Sequence, residues 1–287
     1  MTYLVLKYDM RAPAFGTPKE ALYQAAIEQS AWADQKGFGT LMLAEHHGTE
    51  DGYLPAPVVL SAAIAARTQH IRLRVQALIL PFHDPIRLAE DLAIVDIISN
   101  GRAEATVAGG YVAREFVMFG QQLKKRPSLI ADGVATLKQA WSGEPFSYRG
   151  RSVTVTPTPV QDPHPPLLMG GASEAAAKRA ARIADGFIPA MPGLYDVYKT
   201  ECETLGRPAA KEERMGPVFL HIAEDPERAW EQIAPHALHE TNSYGKWMAE
   251  SMGDQAVYSK SNDVEVLRAS GAYQVVTPQQ CIEIARA

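Results

Sequence analysis

Residues 71–108 read IRLRVQALILPFHDPIRLAEDLAIVDIISNGRAEATVA, and this stretch decides the fold. It begins with an apolar run over residues 71–80 that is rich in branched side chains, which is typical of a buried strand. A helical pattern follows, opened by Asp84-Pro85 and ended by Asn100-Gly101, because these residue types favour helix starts and ends. A second buried strand is indicated over Ala103–Ala108. The order strand, helix, strand predicts a parallel βαβ unit.

The same alternation continues in both directions along the chain. It predicts seven strands, at residues 3–8, 40–44, 71–80, 103–108, 167–169, 186–190 and 218–223. Thr17-Pro18-Lys19-Glu20 has the pattern of a capping box at the start of the first helix. A small hairpin that turns at Arg149-Gly150 is expected around residues 144–160. Residues 240–272 are mixed and polar, so we expect loop and irregular helix there.

These elements predict an α/β fold, a (β/α)8 TIM barrel that forms a single domain over residues 1–287. A chain of 287 residues suits one such barrel, which typically needs about 250 residues. Only seven strands are recognised, so the last strand is expected to be absent from this sequence or replaced. In this architecture the chemistry lies at the carboxyl ends of the strands.

Composition indicates an ordinary globular protein, with 46% hydrophobic and 21% charged residues. The 28 basic and 33 acidic side chains give a net charge of −5, which favours neither nucleic acid nor a membrane as a partner. No run of residues has the length and hydrophobicity of a membrane span. The two cysteines, Cys202 and Cys281, lack metal-type spacing, which is typical of free thiols in a reducing compartment. We therefore expect a cytoplasmic protein.

The second strand ends in Glu45-His46-His47, which is the most conspicuous polar group at a strand end. Neighbouring residues on a strand point to opposite faces, so His46 and His47 are not expected to grip one ion together. We predict no metal site: one histidine belongs to the active site and the other is a supporting residue. A barrel metal hydrolase stays open as a weaker alternative, although the first strand lacks the paired histidines that it usually needs.

Glycines follow two further strands, at Gly109-Gly110-Tyr111 and at Gly170-Gly171. Glycine lets a ligand approach the backbone closely, but it is equally common in tight turns. Ser173 follows the second pair at a predicted helix start, where amides and the helix dipole favour a phosphate. Arg126 could supply the counter-charge to that phosphate, although an exposed arginine in a basic run is often only solvated.

Several of these segments together resemble the bacterial luciferase-like family of flavin-dependent oxidoreductases. They are AEHHGTEDG at residues 44–52, ALILPFHDPIRLAEDLAIVDIISNGR at 77–102, AGGYVAREFVMFG at 108–120, PPLLMGGAS at 165–173 and AARIADG at 180–186. The resemblance implies a barrel with a flavin at its carboxyl face, and His46 as the acid–base residue beside it. It also implies a non-prolyl cis peptide at Gln76-Ala77 against the flavin ring. The other implied flavin-site residues are Glu45, Gly109, Gly110 and Tyr111 near the ring, and Arg126, Gly170, Gly171 and Ser173 near the phosphate.

By this resemblance the chain is expected to be a monooxygenase that uses reduced FMN and O2 on a small organic substrate. A separate NAD(P)H:flavin reductase would supply the reduced FMN, and a homodimer is expected. A deazaflavin-dependent hydride-transfer enzyme and a non-catalytic flavin-binding protein are the alternatives. Ala108 and Gly109 stand where the luciferase branch has a reactive cysteine and an arginine, so light emission is not implied.

Overall fold

The computed structural model describes residues 3–213, 219–252, 261 and 263–286. The strands in these ranges are β1 Val5–Tyr8, β2 Thr40–Leu43, β3 Arg72–Ile79, β4 Ala103–Ala108, β5 Phe146–Tyr148, β6 Arg151–Val153, β7 Leu167–Gly171, β8 Gly186–Pro189, β9 Phe219–Ile222 and β10 Tyr273–Val276. The α-helices are α1 Lys19–Gln35, α2 Pro57–Ala65, α3 Pro85–Ser99, α4 Ala113–Met118, α5 Arg126–Ala140, α6 Glu174–Ile183, α7 Leu194–Thr204, α8 Pro226–Met252, α9 Val264–Ala269 and α10 Pro278–Arg286.

The larger of two compact units covers Tyr3–Gly110 and Arg114–Glu212. It contains a parallel sheet of six strands in the order β1-β2-β3-β4-β7-β8. Alternate side chains of β3 and β4, among them Val75 and Ala105, join an apolar core with the helices. The intervening side chains lie on the opposite face of the sheet, which parallel strands also bury.

The smaller unit contains Tyr111–Ala113 and the described residues from Glu213 onwards. Its strands β9 and β10 pair in parallel, with Phe219 opposite Tyr273. The core of this unit is built by α8, α9 and β10, and its buried members are Trp230, Ala234, Ala237, Leu267 and Tyr273. Among the residues with assigned positions, none of the helices has the length and hydropathy needed to cross a membrane.

The structure confirms strands at six predicted positions and, over Phe219–Ile222, at the seventh; Val218 lies outside the described residues. The hairpin is confirmed as β5 paired antiparallel with β6. The expectation of a missing eighth strand is wrong, because Tyr273–Val276 forms β10. That strand was overlooked because it has only four residues and follows a long polar region. A single domain over residues 1–287 stays a prediction.

Two further expectations are corrected by the structure. Residues 240–252 are part of the 27-residue helix α8, which continues through Pro235 rather than breaking into loop; residues 253–260 lie outside the described part. Thr17 does not form the expected capping box, since α1 begins after Pro18 with no side-chain cap. Asp84 does cap α3 as predicted, accepting hydrogen bonds from Ile86 N and Arg87 N.

Candidate functional site

The carboxyl ends of β3, β4 and β7 lie side by side. β4 and β7 are buried through Val107 and Met169, and their last residues are half-buried. In β3 the half-buried residues come just before the buried end of the strand, Leu78 and Ile79. These half-buried residues are Gln76, Ala77, Ala108, Gly109, Gly170 and Gly171. The peptide bond between Gln76 and Ala77 is cis, as the family resemblance implies. The edge of the sheet therefore offers a surface of backbone and small side chains.

His46 follows β2 and is held by a carboxylate from α4. Its Nδ1 lies 2.9 Å from Oε1 of Glu115, and the same oxygen accepts a hydrogen bond of 3.0 Å from the backbone amide of His47. Glu115 is buried, with 1% of its surface exposed. The ring of His46 also meets the ring of Tyr53 edge to face, at 4.8 Å between centroids. Packing and a buried hydrogen bond therefore fix the position of this imidazole.

His47 turns to a different carboxylate, that of Glu45. Glu45 Oε1 lies 2.9 Å from His47 Nε2 and 2.8 Å from His83 Nε2, and its Oε2 accepts a 2.7 Å hydrogen bond from Ile79 N. The two adjacent histidines thus have separate carboxylate partners, as expected for neighbours that point to opposite faces. Protein groups engage both oxygens of Glu45, so its side chain joins the end of β2 to the end of β3.

The environment of Glu45 keeps this carboxyl group ionised. Burial alone would raise its pKa, but hydrogen bonds from His47 and His83, the charge of His83 and the Ile79 amide outweigh burial and lower the pKa to about 2. A neutral glutamic acid would be a poorer acceptor for these donors. The negative charge therefore belongs to the structure of the site over the whole physiological pH range.

Arg11 also contacts Tyr53, which packs against His46. Its guanidinium carbon is 4.8 Å from the centre of the Tyr53 ring, and its nitrogens lie 3.5 Å from Asp9 and 3.6 Å from Asp51. Only 5% of the Arg11 side chain is exposed. A buried cation with two nearby carboxylates is thus part of the support for Tyr53, and through Tyr53 for His46.

A polar group in the sheet lies next to the cis peptide. On the face opposite the apolar core, Arg74 Nε donates a 2.9 Å hydrogen bond to Glu104 Oε2, and both side chains are over 90% buried. Gln76 Oε1 accepts longer contacts from Arg74 Nη1, at 3.5 Å, and from Thr106 Oγ1, at 3.4 Å. These contacts hold the amide oxygen of Gln76 towards the neighbouring strand. No local pattern in the sequence predicts this buried ion pair.

Two of the glycines predicted to lie near a ligand, Gly110 and Gly171, have no room for a side chain because of the protein's own packing. Gly110 has φ +70°, and a Cβ there would come within 2.8 Å of Ile79. A Cβ on Gly171 would come within 2.5 Å of Ala176. Gly109 is different, because its nearest neighbours would be the tip of Ile130, at 3.0 Å, and the Arg126 side chain.

Arg126 and Ser173 lie at helix starts, as predicted. Arg126 is the first residue of α5, and its Nη1 donates a 3.0 Å hydrogen bond to the carbonyl of Gly110. Ser173 caps α6, and its hydroxyl accepts a hydrogen bond from Ala176 N. Arg126 is thus brought to the glycines after β4, and Tyr111 follows them in the smaller unit.

These residues fit both ends of a flavin mononucleotide. A flat ring needs backbone without bulky side chains, which Ala77, Ala108 and Gly109 provide at the half-buried edge. A phosphate needs donors and positive charge, which the capped start of α6 and the exposed side chain of Arg126 can provide. A metal ion fits less well, because in the part of the chain with described positions no three His, Cys, Asp or Glu residues form a group suited to one.

Sequence reasoning missed Glu115, the partner of His46, and did not foresee that His83 binds Glu45. Glu115 is one acidic residue in a short helix, 69 residues from His46, so only the fold brings the two together. Arg102 has a structural role, because it donates to the carbonyls of Ser99, Ile71 and Thr68.

Comparison with known proteins gives a family match over most of the chain. The family model described as luciferase-like monooxygenase matches residues 9–286. The flavin-dependent trigonelline monooxygenase, oxygenase component, of Acinetobacter baylyi is 30% identical over 156 residues, which are 52% of this chain and 43% of that protein. The FMNH(2)-dependent dimethylsulfone monooxygenase of Pseudomonas putida is 32% identical over 139 residues, 45% of this chain and 38% of that protein. The chain thus spans about half the length, or less, of these relatives.

Solved structures give the same fold over the whole chain. Monooxygenase RslO1 from Streptomyces bottropensis superposes with a TM-score of 0.74 at 23% identity, covering 100% of this chain and 96% of that one. The oxygenating constituent of 3,6-diketocamphane monooxygenase from Pseudomonas putida, in complex with FMN, has a TM-score of 0.73 at 17% identity, covering 99% and 87%. An F420-dependent secondary alcohol dehydrogenase has a TM-score of 0.67 at 16% identity, covering 99% and 90%. The predicted luciferase-like α/β fold is thereby confirmed.

Proposed function

Since this chain belongs to the luciferase-like monooxygenase family, we propose that it is a flavin-dependent monooxygenase that uses reduced FMN and O2. One oxygen atom would enter a small organic substrate and the other would leave as water. The observation that carries this proposal is the buried His46–Glu115 pair at the end of β2, in the same unit as the half-buried edge built around the Gln76-Ala77 cis peptide.

His46 is proposed as the catalytic residue that moves a proton at the reacting atoms. Imidazole suits this work because its proton affinity matches neutral pH. Glu45 was expected to contact the flavin. Because protein donors engage both of its oxygens, it is now proposed to hold in place the segment that carries His46. His47, bound to that carboxylate, completes the support.

FMN is proposed to lie against the cis peptide and the glycines after β4. Gln76, Ala77, Gly109, Gly110 and Tyr111 would contact the ring. The phosphate would bind near the residues Arg126, Gly170, Gly171 and Ser173. Bound there, the reduced flavin supplies the electrons that activate O2, and the protein orients it and excludes water.

A separate NAD(P)H:flavin reductase is the proposed partner that would supply the reduced FMN. Two relatives support this reading, one being named an oxygenase component and the other FMNH(2)-dependent. Such names describe proteins that receive reduced flavin.

The second candidate function is hydride transfer with a deazaflavin. The likeness to an F420-dependent alcohol dehydrogenase favours it at the level of the fold. A non-catalytic flavin-binding protein was expected mainly from a missing strand, and with β10 in place that reason is gone.

An anaerobic titration separates these cofactors. Reduced FMN and a reduced deazaflavin cofactor are each added to the protein, and binding is followed by calorimetry. We expect FMN to bind at micromolar concentration and Arg126→Met to weaken it about tenfold, as removal of a charged hydrogen bond does. Arg67→Met, which removes a surface arginine paired with Glu28, is the control. Tighter binding of the deazaflavin would favour the second candidate.

A further inference from the structure

We propose that Glu115 is a positioning residue that sets the tautomer of His46. It holds the proton of the neutral ring on Nδ1, so that Nε2 is the atom that receives a proton. This proposal rests on the proposed function for the role of His46, but the tautomer itself is a property of the protein without flavin. The tautomer follows from the contacts of one oxygen, Oε1 of Glu115, with the His47 amide and with His46 Nδ1.

The backbone amide of His47 fixes the role of that oxygen. An amide nitrogen can only donate, and it lies 3.0 Å from Glu115 Oε1, so this oxygen must accept. An ionised carboxylate accepts several hydrogen bonds, whereas the hydroxyl oxygen of a neutral acid is a poor acceptor. The amide therefore makes Oε1 a hydrogen-bond acceptor and turns it towards the histidine pair.

The ring of His46 must then supply the second donor. Its Nδ1 lies 2.9 Å from the same oxygen, and both side chains are nearly excluded from solvent, at 8% and 1% exposure. If Nδ1 had no proton, two acceptors would face each other in a buried place, which is unfavourable because neither could be satisfied. The tautomer with hydrogen on Nδ1 avoids that cost. Nε2 is then the proton acceptor of the neutral ring.

The ring cannot readily turn over and so remove Nδ1 from Glu115. Tyr53 meets it edge to face, with an angle of 88° between the ring planes. The backbone of His46 is also fixed, because its amide donates to the carbonyl of Leu54 at 3.3 Å. Turning the ring would break the contact with Glu115 and disturb the packing on Tyr53.

The charge around the ring is consistent with this role. When Nε2 takes a proton from a substrate or cofactor atom, the ring becomes a cation and the Glu115 carboxylate beside Nδ1 compensates it. Glu115 keeps its own charge and gains no proton. Of the other charged groups nearby, Glu45 is bound to His47 and His83, and Arg11 contacts the Tyr53 ring and lies near Asp9 and Asp51.

The test is ring nitrogen NMR on flavin-free protein labelled with ¹⁵N-histidine, with His46→Asn identifying the His46 signals. For the neutral ring we expect the proton on Nδ1 in the wild type. Glu115→Gln keeps an acceptor oxygen and should keep this tautomer. Glu115→Ala should shift the ring towards the Nε2–H form that free imidazole side chains prefer. Glu203→Ala, at an exposed position of α7, is the control.

A wild-type His46 ring protonated on Nε2 would overturn the proposal, even if no variant folds. So would an unchanged Nδ1–H tautomer in folded Glu115→Ala. A kinetic readout accompanies the spectra: Glu115→Gln should lose about 10²-fold in turnover with unchanged affinity for reduced FMN, since the charge that compensates the imidazolium is gone. If FMN does not bind at all, the proposed function fails while the tautomer result stands or falls separately.

Discussion

At the scale of single residues, the carboxylate of Glu45 shows how the site is made rigid. It accepts hydrogen bonds from two imidazoles and from a backbone amide, and these contacts join the segment after β2 to the segment at the end of β3. A group that is ionised in the folded protein at a pH where the unfolded chain would bind a proton links stability to pH. The folded pKa of about 2 lies below the ordinary value of 4.5, so the contribution is stabilising.

We therefore predict a specific acid sensitivity. The contribution of Glu45 is fully present above about pH 4.5 and is lost as the pH falls towards 2; it amounts to about 3 kcal/mol, at about 1.4 kcal/mol for each pKa unit. Glu45→Gln should remove this part of the pH dependence of the unfolding free energy. Urea denaturation between pH 5 and pH 3 measures it, with exposed Glu203→Gln as the control. If the unfolding free energies of wild type and Glu45→Gln fell by the same amount between pH 5 and pH 3, the prediction would be contradicted.

The family resemblance singles out His46 in the sequence, but nothing in the sequence points to its partner Glu115. Strand alternation and the position after β2 were local signals that predicted different roles for His46 and His47, without showing which of the two belongs to the active site. Glu115 and Arg74 carry no such signal, since each is one charged residue whose importance depends on a contact made by folding. Local patterns thus predict which strand end carries the chemistry, and tertiary contacts determine how each side chain is held.

At the level of secondary structure, Arg102 connects the start of β4 to the ends of α2 and α3 by hydrogen bonds. Its guanidinium donates to the carbonyls of Ser99, Ile71 and Thr68, and also to Ala65 O and Thr68 Oγ1. It therefore satisfies the backbone at the ends of α2 and α3 where these helices meet the sheet. All these contacts lie at the amino end of β4, opposite to the candidate site.

Replacing Arg102 should therefore affect stability and not flavin binding. Arg102→Met leaves several buried carbonyls without a donor, each costing about 1–3 kcal/mol, so we expect the unfolding free energy to fall by at least about 3 kcal/mol. Arg67→Met removes only a surface ion pair with Glu28 and should cost less than about 1 kcal/mol. Urea denaturation compares the two variants. If Arg102→Met lowered the unfolding free energy as little as Arg67→Met does, water would have to replace the hydrogen bonds that Arg102 makes.

Elements were predicted well where periodicity and end signals agreed. The stretch over residues 71–108 gave β3, α3 and β4 with bounds within one residue of those observed, because Asp84, Asn100 and Gly101 mark the helix ends. Prediction failed at β10, a short strand that follows the polar region over residues 240–272. It also failed over residues 240–252 of α8, because their mixed and polar composition suggested loop and irregular helix.

At the scale of the whole molecule, α3 carries an apolar stripe on its exposed side. Ile94, Ile97 and Ile98 are 43%, 40% and 45% exposed and follow helical spacing. Exposed apolar stripes of this kind mark protein–protein contacts more often than isolated apolar residues do. The stripe supports the expected homodimer, which stays a proposal.

The dimer prediction is tested by sedimentation at micromolar concentration. We expect a species of twice the chain mass of 31.3 kDa, and a monomer when Ile97→Glu places a charge in the stripe. Ile282→Glu, at another exposed isoleucine in α10, should leave the dimer intact. A wild-type monomer, or a dimer unaffected by Ile97→Glu, would show that α3 is not the contact.

The central claim is that this chain binds reduced FMN and directs its reaction with O2 through His46. Stopped-flow mixing of the protein–FMN complex with oxygenated buffer tests it most directly. The account predicts a transient absorbance that differs from those of reduced and oxidised FMN, and its lifetime should shorten in His46→Asn while reduced FMN still binds. Oxidation at the rate of free FMN, identical in wild type and variant, would contradict the account.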